Sequence, residues 1–208
     1  MSIIFISRII TNINSDLTKE EILLFKNRGF LHLKNLFSEN ICGNLLEEIK
    51  NLKSEDITKS NIGRHTFMKE SKSFKISNEN FNGLTYLQRA DLFCPTIKRM
   101  MSLKLLSLGA KLLKRDDCFF AENEIHIRQH NIENIIPSHQ DNFYFRFKNP
   151  KALTCYVFLT NQNRRSGGLG FLEQKINSLI EPHQRSSSIG FSSYVEEKEN
   201  LANQFKYP

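Results

Sequence analysis

The sequence predicts a single domain in which a layer of helices supports a strand-rich sandwich or barrel. Apolar residues recur at helical spacing in the N-terminal half, between recognisable start and stop signals. After Phe119 the pattern changes to strand-like runs separated by turn signals. No internal repeat and no linker divides the 208 residues, a length sufficient for one domain with its own core.

Leu17-Thr18-Lys19-Glu20-Glu21-Ile22 reads as a helix start. Thr18 can cap, Glu21 can reach back to it, and Leu17 and Ile22 can form a hydrophobic staple. Gly29 is the natural stop, and Phe30–Leu33 reads as a short strand. Ser38 caps a second helix with the stripe Ile41, Leu45, Leu46, Ile49 and Leu52. Residues 53–80 are polar and weakly patterned, and predict loops with one short strand around His65–Met68. Pro95 fits the first turn of a further helix carrying Ile97, Met101, Leu105 and Leu108, with Gly109 as a candidate break before Leu112-Leu113. Three strands are then expected: Glu124–His130, Asn142–Phe147, and Leu153–Leu159, which is apolar on both faces and so central. Turn signals separate them at Ile136-Pro137, Asn149-Pro150 and Ser166-Gly167-Gly168.

Composition narrows the function classes. Apolar residues at 39% and charged residues at 25% describe an ordinary globular chain. The 17 Phe residues, with no Trp, suit core filling between layers. Cys42, Cys94, Cys118 and Cys155 form no CxxC pair, which argues against a zinc knuckle and for buried free thiols in a reducing compartment. The start, MSIIFISRIITNINSD, lacks a charged n-region and a long h-region, so a signal peptide is not expected. No run reaches the length of a membrane span, and a cytoplasmic location with no membrane partner is the expectation. The formal net charge of +7 is scattered and no nucleic-acid motif accompanies it, which favours a solvated basic surface or a small anionic substrate.

The residues with the most chemistry are Pro137-Ser138-His139-Gln140-Asp141-Asn142. On a strand, residues i and i+2 face the same side, so His139 and Asp141 would offer an imidazole and a carboxylate to one point. With a distant second histidine they would complete a 2-His-1-carboxylate triad on Fe(II), leaving open positions for co-substrate and O₂. A lone His-x-Asp is a weak signal. Its placement after a turn proline and before an apolar strand strengthens it.

Three stretches together resemble the phytanoyl-CoA dioxygenase family of Fe(II)/2-oxoglutarate oxygenases: LTKEEILLFKNRGFLHLKNLFS, EIHIRQHNIENIIPSHQDNFYF and NPKALTCYVFLTNQNRRSGGLGFL, spanning roughly residues 17–175. The resemblance implies a mainly β fold with N-terminal helices, a double-stranded β-helix of the jelly-roll, cupin-like type. It implies His139 and Asp141 as iron ligands and catalytic residues, with Fe(II) and 2-oxoglutarate as cofactors. The implied reaction decarboxylates 2-oxoglutarate to succinate and hydroxylates a small organic substrate. Arg128 is a candidate for an acid group of oxoglutarate or substrate, against the reading of a solvated arginine. Tyr144 and Thr154 are candidate hydrogen-bond donors in the cofactor pocket. Gly167-Gly168 is expected to make a tight turn and not a phosphate loop.

The family pattern places a second iron-binding histidine shortly after a late Gly-Asp turn, with a basic residue beyond it. This chain has no Gly-Asp dipeptide, and His183 is its last histidine. The expected domain, residues 1–208, is therefore a jelly roll incomplete at the C-terminus. His183 is the candidate third metal ligand, with an ordinary loop histidine as the competing reading, and Arg185 is a candidate for the basic clamp. An incomplete barrel leaves open strand edges, through which a homodimer is expected. The alternatives are a non-catalytic cupin-like binding or structural protein, an inactive truncated oxygenase, and a metal-dependent cupin isomerase recruiting His126 or His130.

Overall fold

The computed structural model describes residues 2–7, 17–60, 65–67, 84–127, 138–145, 152–163, 168–174, 183–185, 193–195 and 205–207. The chain divides into two compact units, Met1–Leu36 with Glu133–Pro208, and Phe37–Ile132.

In the first unit, β1 (Ser2–Ser7) lies between β2 (Phe30–Lys34) and β6 (Leu153–Val157) and pairs parallel with both. Ile3 stands opposite Phe30 on one side and Thr154 on the other, and Phe5 opposite His32 and Tyr156. Helix α1 (Lys19–Arg28) precedes β2 and begins as its sequence demands. The Glu21 amide donates to Thr18 Oγ1 at 3.1 Å and the Thr18 amide to Glu21 Oε2 at 2.7 Å. Gly29 ends the helix at φ +78°, a left-handed conformation that disfavours any side chain. Strand β2 then alternates, burying Leu31 and Leu33. Phe171, itself buried, packs its ring against Phe30 and Tyr156, and its backbone bridges Lys206. A short helix α6 (Asp141–Phe145) and an antiparallel pair, β7 (His183–Arg185) with β8 (Ser193–Val195), complete the described part of this unit.

In the second unit, α2 (Glu39–Lys50) starts at Ser38 and buries Cys42, Leu45 and Ile49, so the stripe read from the sequence is close to the face actually used. A further helix, α3 (Ser54–Ser60), buries Ile57. Strands β3 (His65–Phe67), β4 (Leu84–Gln88) and β5 (Glu124–His126) form an antiparallel sheet with β4 central. Leu84 and Leu87 of β4 are buried. Helix α4 (Pro95–Met100) has Pro95 in its first turn, as expected. It runs through a π-helical turn, Met101–Leu105, into α5 (Leu106–Leu113). The irregularity in this long helix is that π turn, and Gly109 lies inside α5 without breaking it.

The mainly β jelly roll is not the fold. Among the described residues helix outweighs strand, and the strands make three small sheets with no barrel. A jelly roll is an antiparallel array, whereas the sheet nearest the His139 motif is parallel. The apolar N-terminal run explains the difference, since Ser2–Ser7 becomes the central strand of that sheet. Strand β6, expected to be central, lies at the edge of its sheet among the described residues and is half-buried throughout. The expected strand Asn142–Phe147 is instead helical over Asp141–Phe145, with residues 146–147 outside the described set. A carboxylate in the first turn favours that helix. The strand expected from Glu124 to His130 is described as β5 to His126, and residues 128–130 lie outside the described set. Among the described residues no helix is long and apolar enough to cross a membrane.

Candidate functional site

His139 sits in the extended segment that leads into α6, and Asp141 is the first residue of that helix. The strand on which the pair was expected is absent, yet the two side chains still meet. His139 Nε2 lies 3.2 Å from Asp141 Oδ1, with side chains only 14% and 15% exposed. Thr154, on β6, donates its Oγ1 hydrogen to the other carboxylate oxygen, Oδ2, at 2.8 Å. The ring of Tyr144, one turn along α6, meets His139 edge to face at a centroid distance of 5.8 Å. Asn142, between them in sequence, is buried.

Gln140 points elsewhere: its Nε2 donates to Gln174 Oε1 at 3.2 Å. The Gln174 backbone amide in turn donates to the Arg28 carbonyl at 2.9 Å, at the end of α1. The residue between the two candidate ligands is thus tied to the helix that precedes β2.

Adjacent ligands on a metal bound at 2.0–2.2 Å lie about 3 Å apart. The 3.2 Å between Nε2 and Oδ1 is the distance of a direct His–Asp contact, an ion pair when the imidazole is protonated, and it also suits two such positions. An imidazole and a carboxylate are also the donor chemistry that Fe(II) and Mn(II) accept. No third donor completes the set: among the described residues no group of three or more His, Cys, Asp and Glu side chains gathers to hold a metal. His183 opens β7 opposite Val195, and Arg185 closes it opposite Ser193. The side chains of both lie outside the described residues, as does the whole of Arg128. Of the six candidate site residues, His139, Asp141, Arg128, Tyr144, Thr154 and His183, the structure brings together His139, Asp141, Thr154 and Tyr144.

Sequence reasoning missed how Thr154 would be used. A lone threonine in an apolar strand carries no local sign that it will meet an aspartate thirteen residues earlier. It also missed a second hydrogen-bonded set, in the other unit. Tyr86 on β4 donates its hydroxyl to Glu124 Oε1 at 2.5 Å, and Glu124 Oε2 lies 2.9 Å from His126 Nε2. Burial alone would push the Glu124 carboxyl up. The hydrogen bonds from His126 and Tyr86 outweigh burial and leave it below the ordinary value. Strand parity places Glu124 and His126 on one face, and the Tyr86 partner comes from the β4–β5 register, in which Tyr86 stands opposite His126.

A cleft of about 710 Å³ in the second unit is lined by Asn44, Glu48, Asn51, Asp56 and Phe93, among others. Glu48 there is already engaged, accepting from the Thr96 amide at 3.0 Å and the Thr96 hydroxyl at 2.6 Å.

The cysteines do not supply a nucleophile in the core. Cys94 is buried, and burial, with the Glu48 carboxylate adding to it, pushes its thiol up to about 12. Cys118 is partly exposed. Alkylation of the native protein at pH 8, read by peptide mass spectrometry, is therefore expected to label Cys118 before Cys94. Equal labelling of the two under native conditions would contradict the burial of Cys94.

Comparison with known protein families, curated proteins and solved structures finds no match to this chain.

Proposed function

We propose that the first unit binds a divalent transition metal through His139 and Asp141, and that the chain is an Fe(II)- and 2-oxoglutarate-dependent oxygenase acting on a small organic molecule. The observation that carries the metal half is the 3.2 Å approach of Nε2 to Oδ1 between two largely buried side chains. The oxygenase half rests on the resemblance of His139-Gln140-Asp141 and its flanking stretches to the phytanoyl-CoA dioxygenase family, now on a scaffold without that family's barrel.

In this reading His139 and Asp141 would hold the ion. Bound iron with its oxoacid supplies the oxidising chemistry. The chain's own share is positional. Thr154 occupies Oδ2 of Asp141, and Tyr144 flanks the imidazole. Gln140 anchors the segment between the ligands through Gln174. His183 remains the proposed third ligand, and the net charge of +7 favours an anionic substrate. The second reading, a non-catalytic binding or structural protein, is favoured by one observation: two donors, not three, converge among the described residues.

Anaerobic Fe(II) calorimetry on metal-free protein, with and without 2-oxoglutarate, separates the two. The expected result is about one equivalent of iron bound, tighter with oxoglutarate, and at least 100-fold weaker binding in Asp141→Ala. A folded parent that takes up no iron sinks the oxygenase reading and leaves the binding or structural one.

A further inference from the structure

We infer that Thr154 is a positioning residue for this site, one that selects which oxygen of Asp141 is presented to a metal. The inference rests on the metal-binding reading above. An unrestrained carboxylate has two equivalent oxygens, and can turn between one-point and two-point ligation. Here the two are made different. Oδ2 accepts the Thr154 hydroxyl at 2.8 Å, and Oδ1 faces His139 Nε2 at 3.2 Å.

The restraint comes from a different element than the ligands. His139 and Asp141 belong to the entry into α6, whereas Thr154 belongs to β6, whose backbone pairs with β1. Strand pairing fixes where the hydroxyl stands, and the hydroxyl fixes the carboxylate plane. Tyr156 follows two residues on along that strand, and its ring stacks on that of Phe158, just past the strand end, at 6.5 Å. Tyr156 also packs on buried Phe171, which steadies the strand that carries the donor. A carboxylate held at Oδ2 offers one oxygen to the ion and leaves more of the coordination sphere for exogenous ligands. Outer hydrogen bonds of this kind typically tune metal affinity 10–100-fold.

The test uses the full chain and Co(II) as the probe, under reducing conditions that keep the four thiols free. Affinity and the visible absorption of the bound ion are measured for the parent, Thr154→Val, Thr154→Ser and Asp141→Ala. Denaturant midpoints are measured alongside, because valine keeps the shape of threonine while removing the hydroxyl. The expected result is a 10- to 100-fold weaker Co(II) affinity and an altered absorption envelope in Thr154→Val. Thr154→Ser should restore both to within about threefold of the parent, and Asp141→Ala should abolish binding. Parent-like affinity and spectrum in a folded Thr154→Val overturn the positioning role alone. A parent that binds no Co(II) overturns the metal reading and this inference with it. Loss of binding that tracks loss of fold in both Thr154 variants also overturns the inference, since Thr154 would then serve stability only.

Discussion

Replacing Gly29 with alanine is expected to destabilise the fold by about 3 kcal/mol, read as a fall in the denaturant midpoint with the slope unchanged. Two independent effects add. At φ +78° an L side chain is strained. The new Cβ would also stand 2.2 Å from the backbone carbonyl oxygen of Gln174, so this segment, whose amide is bonded to the Arg28 carbonyl, must shift. The disturbance should travel further than the turn. Gln174 also accepts from Gln140, the residue between His139 and Asp141, so metal affinity should fall in Gly29→Ala as well. Gly43 is the matched control. It lies inside α2 with nothing within 4 Å of an added Cβ. Gly43→Ala is expected to stabilise by roughly 0.5–1 kcal/mol, because alanine loses less backbone entropy in a helix. Two substitutions of the same chemistry should thus move stability in opposite directions.

Asp91→Ala is the second large effect, expected to destabilise by about 2–3 kcal/mol. Asp91 is the middle residue of the 3-10 turn Ala90–Leu92, with a side chain 12% exposed. Its Oδ1 accepts from Asn123 Nδ2 at 2.7 Å and from Arg89 Nε at 3.2 Å, while its own amide donates to Asn123 Oδ1 at 2.8 Å. Removing the carboxylate leaves the Asn123 amide and the Arg89 guanidinium without this acceptor. It also releases Arg89, a non-glycine residue at φ +55°.

The same carboxylate predicts an acid dependence. Burial would push it up, but the hydrogen bonds from Asn123 and Arg89, with the charges of Arg89 and Lys98, leave it below its ordinary value. A depressed folded value means the unfolded chain binds the proton first. The contribution is therefore complete above the ordinary carboxylate range near 3.9 and disappears as pH falls through the lower folded value. Glu124, also held below its ordinary value, acts in the same direction. Denaturant midpoints of the parent should drop steeply between about pH 4 and pH 2. The Asp91→Ala midpoint should drop less over that interval, and an identical slope in both proteins would contradict this assignment.

The His139-Gln140-Asp141 triplet stands out in the sequence as a candidate, because its residue types limit what the pair can do. Its setting differs from the expected strand. The aromatic run after Asp141 has strand propensity, yet Asp141–Phe145 is helical. The two side chains converge anyway, since a spacing of two also brings them together where an extended segment enters a helix. Segment Ser54–Ser60 escaped as a helix because its one buried apolar residue, Ile57, sets no period. The N-terminal run escaped as a strand because its partners, β2 and β6, are distant in sequence.

What the sequence determined by itself is the set of features settled within three or four residues. The Thr18–Glu21 capping box, the Ser38 cap, the stop at Gly29, Pro95 in a first turn and the alternation of Leu31 and Leu33 are of this kind. Each depends on a backbone dihedral or an orphan amide whose partner is already adjacent. Tertiary structure alone decided the parallel placement of β1, its pairing with β6, the reach of Asn123 to Asp91 across 32 residues and the hydroxyl of Thr154 on Asp141. Strand partners and side-chain acceptors at such separations are chosen by which apolar faces can be buried together, a property of the whole chain that no local window contains.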